Sequence, residues 1–521
     1  MKEIPIAWLA SEKESAVRLR DIPAMLRQSA VQRKNHLPGF KTKVISIVLP
    51  LVIAALEISI RFIEYLRKII RLYFSGEEGF LKIFRDRTLL RLNLKSKIPQ
   101  RPIKDVIYEL KEAKLKDAQK ILATVLSRDI WRNLILSNQE RMALLSKALA
   151  LSLRRVDASE IASFLESLLK DKSYKFLPEA ERLTRSYIVI YRIDKPIKVA
   201  TVYAMYGGQI RILQPEVHPF GENNLRIKLE QLNDVYSINP KVKWELIMVQ
   251  DGGDRKPQDP LRQQRTMDMV RDILLKEYLN EFTSGQVRIY ELTTEQERKL
   301  RSVRGGALTY GMRQALKNGA DYVISTDEDV SSHVGQEGLL LESLLTGDRV
   351  VTVGSRRVKG AVVRGRKPIR LITSWGFNNF ARPLLPLGRI RDTQCGFKGY
   401  SREVLEQILP VDAQNQFDLG FVYNFAGEVN LLWRAKLLGY QLKEIPIACF
   451  DTPITTVRRR DIINMAEGVL KQRLYVRSWR ERIKAGKKPQ VTTTALRGST
   501  KARDLTVLEI PTIKEKITAA L

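Results

Sequence analysis

Between Arg304 and Ser332 the chain reads RGGALTYGMRQALKNGADYVISTDEDVSS, and no other stretch limits its fold so sharply. Ala307, Leu308, Met312, Ala315 and Leu316 recur at helical spacing and predict a helix with one apolar face. Asn318 and Gly319 supply its stop signal. Tyr322, Val323 and Ile324 then predict a short buried strand that runs into Asp327, Glu328 and Asp329. Alternation of helix and buried strand indicates a parallel α/β sheet, and such sheets bind ligands beyond the C-terminal ends of their strands. A D-x-D pair at that place is a candidate site for a divalent cation bridging a nucleoside diphosphate, with Asp327 and Asp329 as the metal ligands. An acidic turn capping the next helix is the alternative reading.

The alternation continues upstream. KVATVYAMY predicts a strand, GENNLRIKLEQLNDVY a helix, and WELIMVQDGGD a second strand running into Asp251. Glu222 and Asp251 both fall near strand-to-helix junctions, which makes them candidates to face a nucleotide. For Asp251 alone, an acidic turn is the favoured reading.

From Pro102 to about Arg185 the period is helical, with VIYELKEAKLKDAQKILATVL, QERMALLSKALALSLR and ASEIASFLESLLKD as candidate helices. Asp157 to Glu160, DASE, has the pattern of a capping box. No repeat and no catalytic constellation stands out, so residues 101–190 read as a helical accessory domain. Farther upstream, VISIVLPLVIAALEISI from Val44 to Ile60 is at the lower length limit for a membrane span and contains Pro50. Glu57, Arg61, Glu64, Lys68 and Arg71 trace one polar stripe, and apolar residues cover the rest of that surface. The segment 44–74 therefore predicts an amphipathic helix lying in a membrane interface, ahead of a single span or a helix packed on the protein's own core.

Charge supports an anionic surface as a partner. Residues 1–100 hold 19 basic and 9 acidic side chains and residues 457–521 hold 16 and 6, so the flanks carry +20 of the formal +31. A membrane fits this better than nucleic acid, because the flanks lack aromatics interleaved with the basic residues. The N-terminus shows no apolar signal-peptide core, and the two cysteines, Cys395 and Cys449, have no metal-ligand spacing. A reducing setting at the cytoplasmic face of a membrane is expected.

Taken together, WELIMVQDGGD, RGGALTYGMRQAL, DYVISTDEDVSSH, VVTVGSRR and IRDTQCGFKGYSREVL resemble the family 2 glycosyltransferases. More narrowly they resemble the dolichyl-phosphate glucosyltransferases and the related polyprenyl-phosphate sugar transferases. The resemblance covers roughly residues 197–460. It implies an α/β fold of the GT-A type, a Rossmann-like and mostly parallel sheet, over residues 191–456. An N-terminal helical region precedes it, residues 1–100 form a basic flank and residues 457–521 a basic tail. The family's K-G-G-A falls on Arg304, Gly305, Gly306 and Ala307, its D-D-G-S on Gln250 to Gly253, and its D-A-D on Asp327, Glu328 and Asp329. Its late F-D-x-E falls on Gly427, Glu428, Val429 and Asn430, and its S-K pair on Thr455 and Thr456, which departs from the pattern.

The resemblance implies inverting transfer of a sugar, glucose favoured, from a nucleotide-sugar donor, UDP favoured, to a polyprenyl or dolichyl phosphate. Asp251 would contact the nucleoside, and Asp327 and Asp329 the diphosphate through Mg²⁺ or Mn²⁺, with Glu222, Arg304, Gly305 and Gly306 also on the donor side. Arg356 and Arg370 would hold the acceptor phosphate, joined on that side by Asp392, Gln394 and Lys398. A saccharide hydroxyl as acceptor is the alternative and would need a carboxylate base, for which Asp392, Asp418 and Glu428 are the candidates. A sugar-nucleotide pyrophosphorylase is a weaker rival, since GGQIRIL is a poor match to its Gly-rich phosphate loop.

Overall fold

Strand β1 (Ile197–Met205) is buried over most of its length and lies inside the sheet, which explains its nearly continuous apolar run. A computed structural model describes residues 103–128, 131, 137–206, 208–218, 221–251, 265–292, 304–347, 349–365, 368–385, 387–388, 390–411, 421, 423, 426–450, 465–473 and 503–504. The predicted interfacial helix at 44–74, nearly all of the basic tail, Asp418 and Thr456 lie outside the described residues.

β2 (Val242–Gln250) and β3 (Val287–Glu291) extend the sheet on one side of β1, and β4 (Tyr322–Ser325) lies on the other. Beyond β4 come β7 (Lys398–Ser401), β5 (Val350–Ser355) and β8 (Gln441–Pro446), giving the order β3-β2-β1-β4-β7-β5-β8. All these neighbours are parallel except β7, which runs antiparallel to both β4 and β5. Arg503–Asp504 adds an antiparallel segment to the edge of β3. β6 (Val362–Arg364) and β9 (Ala448–Phe450) form a separate parallel pair. This is the mostly parallel α/β architecture expected for a GT-A domain.

Successive side chains of a strand point to opposite faces. Val199, Tyr203 and Met205 accordingly join one core, and Ala200, Val202 and Ala204 the other. The second core is closed by α8 (Gly305–Lys317), α10 (Pro368–Leu384) and α12 (Gly427–Leu437). Gly311 lets α8 approach the sheet, because a Cβ there would sit 2.6 Å from Val202 Cγ1. The first core contains α6 (Asn224–Tyr236), α7 (Thr266–Glu277) and α9 (Glu337–Leu345). It also takes in the upstream helices α1 (Ile103–Glu112), α2 (Leu115–Leu126), α3 (Asn138–Leu153), α4 (Ala158–Lys170) and α5 (Pro178–Tyr191). α11 (Arg402–Ile408) follows β7 directly.

The accessory helices thus share a core with the sheet, and residues from 100 onward form one compact unit. α5 packs on α9, where Ser186 Oγ donates to the Gly335 carbonyl at 2.6 Å and accepts from the Gly338 amide at 2.9 Å. Two local expectations need correcting. The long helix predicted through VIYELKEAKLKDAQKILATVL is broken at Ala113 and Lys114. The DASE capping box does not form, because the Asp157 carboxylate is taken by Arg155 at 2.7 and 3.0 Å. A complete box forms instead at Ser137 and Glu140.

Candidate functional site

Chain direction brings the acidic triplet to the edge formed by the C-terminal ends of the parallel strands. From β1 the chain adds β2 and β3 on one side, then returns through α8 to place β4 on the other side of β1. The ends of β1 and β4 therefore flank a topological switch point, where an α/β sheet opens a crevice. Register sets Met205 beside Gln250 and Val202 beside Ser325, so Asp251 and Asp327 follow on the same edge. Antiparallel β7 starts at that edge, with Lys398 opposite Ser325 and Val353. The RDTQCG segment consequently crosses the ends of the parallel strands.

Arg304 caps the N-terminal end of α8 and pairs with Asp327 at 2.6 Å and Glu428 at 3.3 Å. Glu428 also meets Lys398 at 3.4 Å, and the Lys398 ammonium donates to the Cys395 carbonyl. Gly396 lies against the Asp327 carboxylate, since a Cβ there would fall 2.5 Å from Oδ1. The glycine of the RDTQCGFK motif thus leaves the space that Asp327 occupies. Burial acts to raise the Asp327 carboxyl, but Arg304 and Arg356 outweigh it and hold the group below the usual range.

Asp329 turns the other way. Its Oδ1 accepts from the Ser331 amide at 3.1 Å and hydroxyl at 2.5 Å, and its Oδ2 lies 3.5 Å from Arg211. Buried Arg211 also donates to both oxygens of Glu222 at 3.1 Å. Glu328 points at the segment after β1, where a Cβ on Gly208 would overlap its Oε1 at 1.7 Å. Burial pushes its carboxyl up to about 7 against the pull of Arg211.

Beneath this edge lies a second, closed polar layer. Asn224, Lys228 and Gln231 share one face of α6 by helical spacing. Asn224 donates to the Glu328 carbonyl at 3.1 Å, and Gln231 accepts from the Val334 amide at 3.1 Å. Lys228 is fully buried, its ammonium stands 5.6 Å from the Tyr203 ring centroid, and Nζ has no hydrogen-bond partner. Burial lowers this ammonium's pKa, while Asp329, Asp327, Glu222 and Glu337 oppose that shift. Glu337 accepts from Thr201 at 2.8 Å and from Tyr236, and burial raises its carboxyl to about 7.

On the far side of the edge, Arg356 follows β5. Its Nε and Nη2 grip Asp392 at 2.7 and 2.9 Å, and its amide adds a third bond at 3.0 Å. Burial opposes ionisation of Asp392, yet Arg356 brings its pKa down to about 2. Glu444 in turn accepts from the Asp392 amide at 2.9 Å and the Ser355 hydroxyl at 2.8 Å. Arg357 donates to Ser374 of α10 at 2.8 Å, and Arg370 lies one helical turn before Ser374. Gln394 sits on the same crossing segment as Asp392.

The fold therefore gathers two linked groups at this edge, Asp327, Arg304, Glu428 and Lys398 in one and Glu222, Arg211 and Asp329 in the other, with Gly305 and Gly306 opening α8 beside the first. Arg356 and Asp392 form a separate pair. Sequence reasoning missed Arg211, Lys228 and Gly396; only the last carried a usable signal, its place in RDTQCGFK. Asn430 is buried with neither side-chain polar atom bonded. Among the described residues there is no group of three or more His, Cys, Asp or Glu spaced to hold a metal ion, and no helix long and apolar enough to cross a membrane.

No protein-family model matches the chain. It is 32% identical over 143 residues to a polyprenol monophosphomannose synthase of Mycolicibacterium smegmatis, covering 27% of this chain and 51% of the relative. It is 27% identical over 254 residues to glycosyltransferase AglD of Haloferax volcanii, covering 48% and 34%. Against a dolichyl-phosphate beta-glucosyltransferase of Dictyostelium discoideum the identity is 23% over 256 residues, covering 48% and 66%. The chain thus spans between about a third and two thirds of these relatives' own lengths. A solved glucosyl-3-phosphoglycerate synthase of Mycobacterium tuberculosis is 15% identical, with a TM-score of 0.34 over 56% of this chain and 84% of that one. That score is too low to carry a fold assignment, which rests on the strand order of the chain itself. In sequence, over about a quarter to a half of its length, the chain is similar to family 2 glycosyltransferases, among them enzymes named for polyprenol and dolichyl phosphate.

Proposed function

We propose that the chain is an inverting glycosyltransferase that moves a sugar, glucose favoured, from a nucleoside diphosphate, UDP favoured, to a polyprenyl or dolichyl phosphate. The observation that carries this reading is the Arg304–Asp327 pair at the switch point of the sheet, with RDTQCG crossing the same edge. In a single displacement, a phosphate oxygen of the lipid attacks the anomeric carbon. The bond from that carbon to the diphosphate oxygen breaks, and the nucleoside diphosphate leaves with the electron pair.

Asp327 and Asp329 would be the protein ligands of a divalent cation. Asp327 and Asp329 keep side-chain exposures of 31% and 19%, so each remains reachable. A bound Mg²⁺ or Mn²⁺ supplies neutralisation of charge on the leaving oxygen. Arg304, at the N-terminal end of α8, is placed to exchange its carboxylate partner for a diphosphate oxygen, and the helix terminus favours the same anion. Asp251, Glu222, Gly305 and Gly306 complete the donor side.

The state of Asp392 removes one of the three candidate bases for a saccharide hydroxyl. A carboxylate with a pKa of about 2, bound through both oxygens to Arg356, is a weak general base, whereas an ionised phosphate needs none. Arg356 binds Asp392 through Nε and Nη2 and would meet phosphate through Nη1, with Arg370 and Gln394 as the further acceptor-side candidates; Lys398, fully buried against Glu428 and the Cys395 carbonyl, leaves that side.

A screen of UDP- and GDP-sugars with a polyprenyl phosphate, with and without EDTA, tests the reading. Metal-dependent formation of a lipid-linked sugar supports it; transfer only to saccharides, or undiminished transfer in EDTA, overturns acceptor or metal respectively. Location at the cytoplasmic face of a membrane is part of the proposal and rests on the composition of residues 44–74 and the basic tail. In liposome flotation, deleting residues 44–74 should release most of the protein, and high salt alone only a fraction. An intact protein that never floats rules the anchor out.

A further inference from the structure

The set of charges at the strand ends contains one member with no contact of its own. Arg211 and Arg304 each touch the carboxylates they neutralise, and Lys398 touches Glu428. Lys228 has no such contact: it is 1% exposed, its Nζ makes no hydrogen bond, and it stands over the Tyr203 ring, 5.6 Å from the centroid. Burying an ammonium without a partner is costly, and a methionine of similar length would fill the same space without that cost. What an ammonium adds there is a positive charge acting through protein rather than water, in the layer beneath the strand ends, where Asn224 one turn earlier on α6 donates to the Glu328 carbonyl at 3.1 Å.

We propose that Lys228 is a positioning residue whose buried charge biases the strand-end site toward the diphosphate and away from a free cation. This role rests on the proposed donor site. Its consequence has a sign that packing alone cannot mimic. A fixed positive charge strengthens binding of an anion and weakens binding of a cation at the same place, so removing it moves the two affinities in opposite directions. Metal and diphosphate then enter best together, as a pair whose charges largely cancel.

The test is binding without turnover, by calorimetry on the full chain, using Mn²⁺ alone and then UDP and GDP each without metal. In Lys228→Met the dissociation constant for the nucleotide should rise and that for Mn²⁺ should fall, each about tenfold, as expected for one nearby charge in a partly screened site. Thermal unfolding should be unchanged or raised. Lys228→Arg, which keeps the charge, should stay near the wild-type values in both titrations. Should Lys228→Met fail to fold, Lys228→Gln gives the same comparison. Affinities that move in the same direction, or neither moving in a folded neutral variant, overturn the role of Lys228 while leaving the donor site standing. A wild-type protein that binds neither Mn²⁺ nor nucleotide overturns the donor site, and this role with it.

Discussion

Asp329 and Asp392 are both carboxylates near strand ends facing an arginine, yet the two pairs are built differently. Asp329 keeps 19% of its side chain exposed and stands 3.5 Å from Arg211, which it shares with Glu222. Asp392 is fully buried, takes three bonds from Arg356, and has its own amide held by Glu444. The first arrangement is loose and shared, so an incoming cation or phosphate can replace one partner without leaving a bare buried charge. The second is closed, and breaking it exposes exactly the uncompensated charge that folded proteins tolerate least. The proposed donor side is thus a set of exchangeable contacts, and the Arg356–Asp392 pair is a scaffold for whatever binds beside it.

The largest effect that would sharpen this contrast is on transfer. Asp329→Asn preserves the acceptor for the Ser331 amide and hydroxyl but removes the charge, so folding should survive while turnover falls about a thousandfold, roughly 4 kcal/mol in the barrier. Steady-state rates beside a thermal melt give the answer. Substantial activity in this variant would mean that Asp329 belongs to the scaffold as well.

Asp392→Asn should do the reverse. Removing one partner of a buried pair costs about 3–5 kcal/mol of stability, read as a shift in denaturant midpoint. The pH dependence has a definite sign. The folded pKa of Asp392, about 2, lies below the ordinary carboxylate value near 4, so its contribution is present above that value and is lost as pH falls from about 4 through 2. The variant should lack this part of the acid transition. An unchanged acid limb would show that the pair does not govern stability.

Much of the donor side was legible because its chemistry sits where periodicity changes. Helical spacing through Leu316, a stop at Gly319 and a buried run at Tyr322 to Ile324 fix the direction of β4, and so the place of Asp327 and Asp329. The acceptor side was legible only through resemblance. β7 is four residues, KGYS, too short for alternation to show, and its antiparallel course is a property of the sheet rather than of that segment. Lys228 and Arg211 gave no signal, since a basic residue in an amphipathic helix or a loop ordinarily faces water. At Asp157 the pattern S/T/D-x-x-E was present and misleading: Arg155, two residues away, offers the carboxylate a charged partner in place of the helix amides. The break at Ala113 and Lys114 contains neither Pro nor Gly, and local propensity does not account for it.

The smallest effect tests whether the closed pair serves an acceptor at all. Arg356→Ala would be ambiguous, because it strips Asp392 of its partner and lowers stability along with any phosphate contact. Arg370 avoids that difficulty if, as the resemblance implies, it lies on the acceptor side, at the start of α10 and one turn before the Ser374 that Arg357 binds. Loss of a charge-assisted contact to phosphate is worth about 1.5–3 kcal/mol. Arg370→Ala should therefore raise KM for the polyprenyl phosphate roughly 10- to 150-fold. Hydrolysis of the nucleotide sugar by water, which uses the donor side alone, should change little. Equal losses in transfer and hydrolysis would move Arg370 to the donor side or to folding, and the division between exchangeable donor contacts and a fixed acceptor scaffold would have to be redrawn around α10.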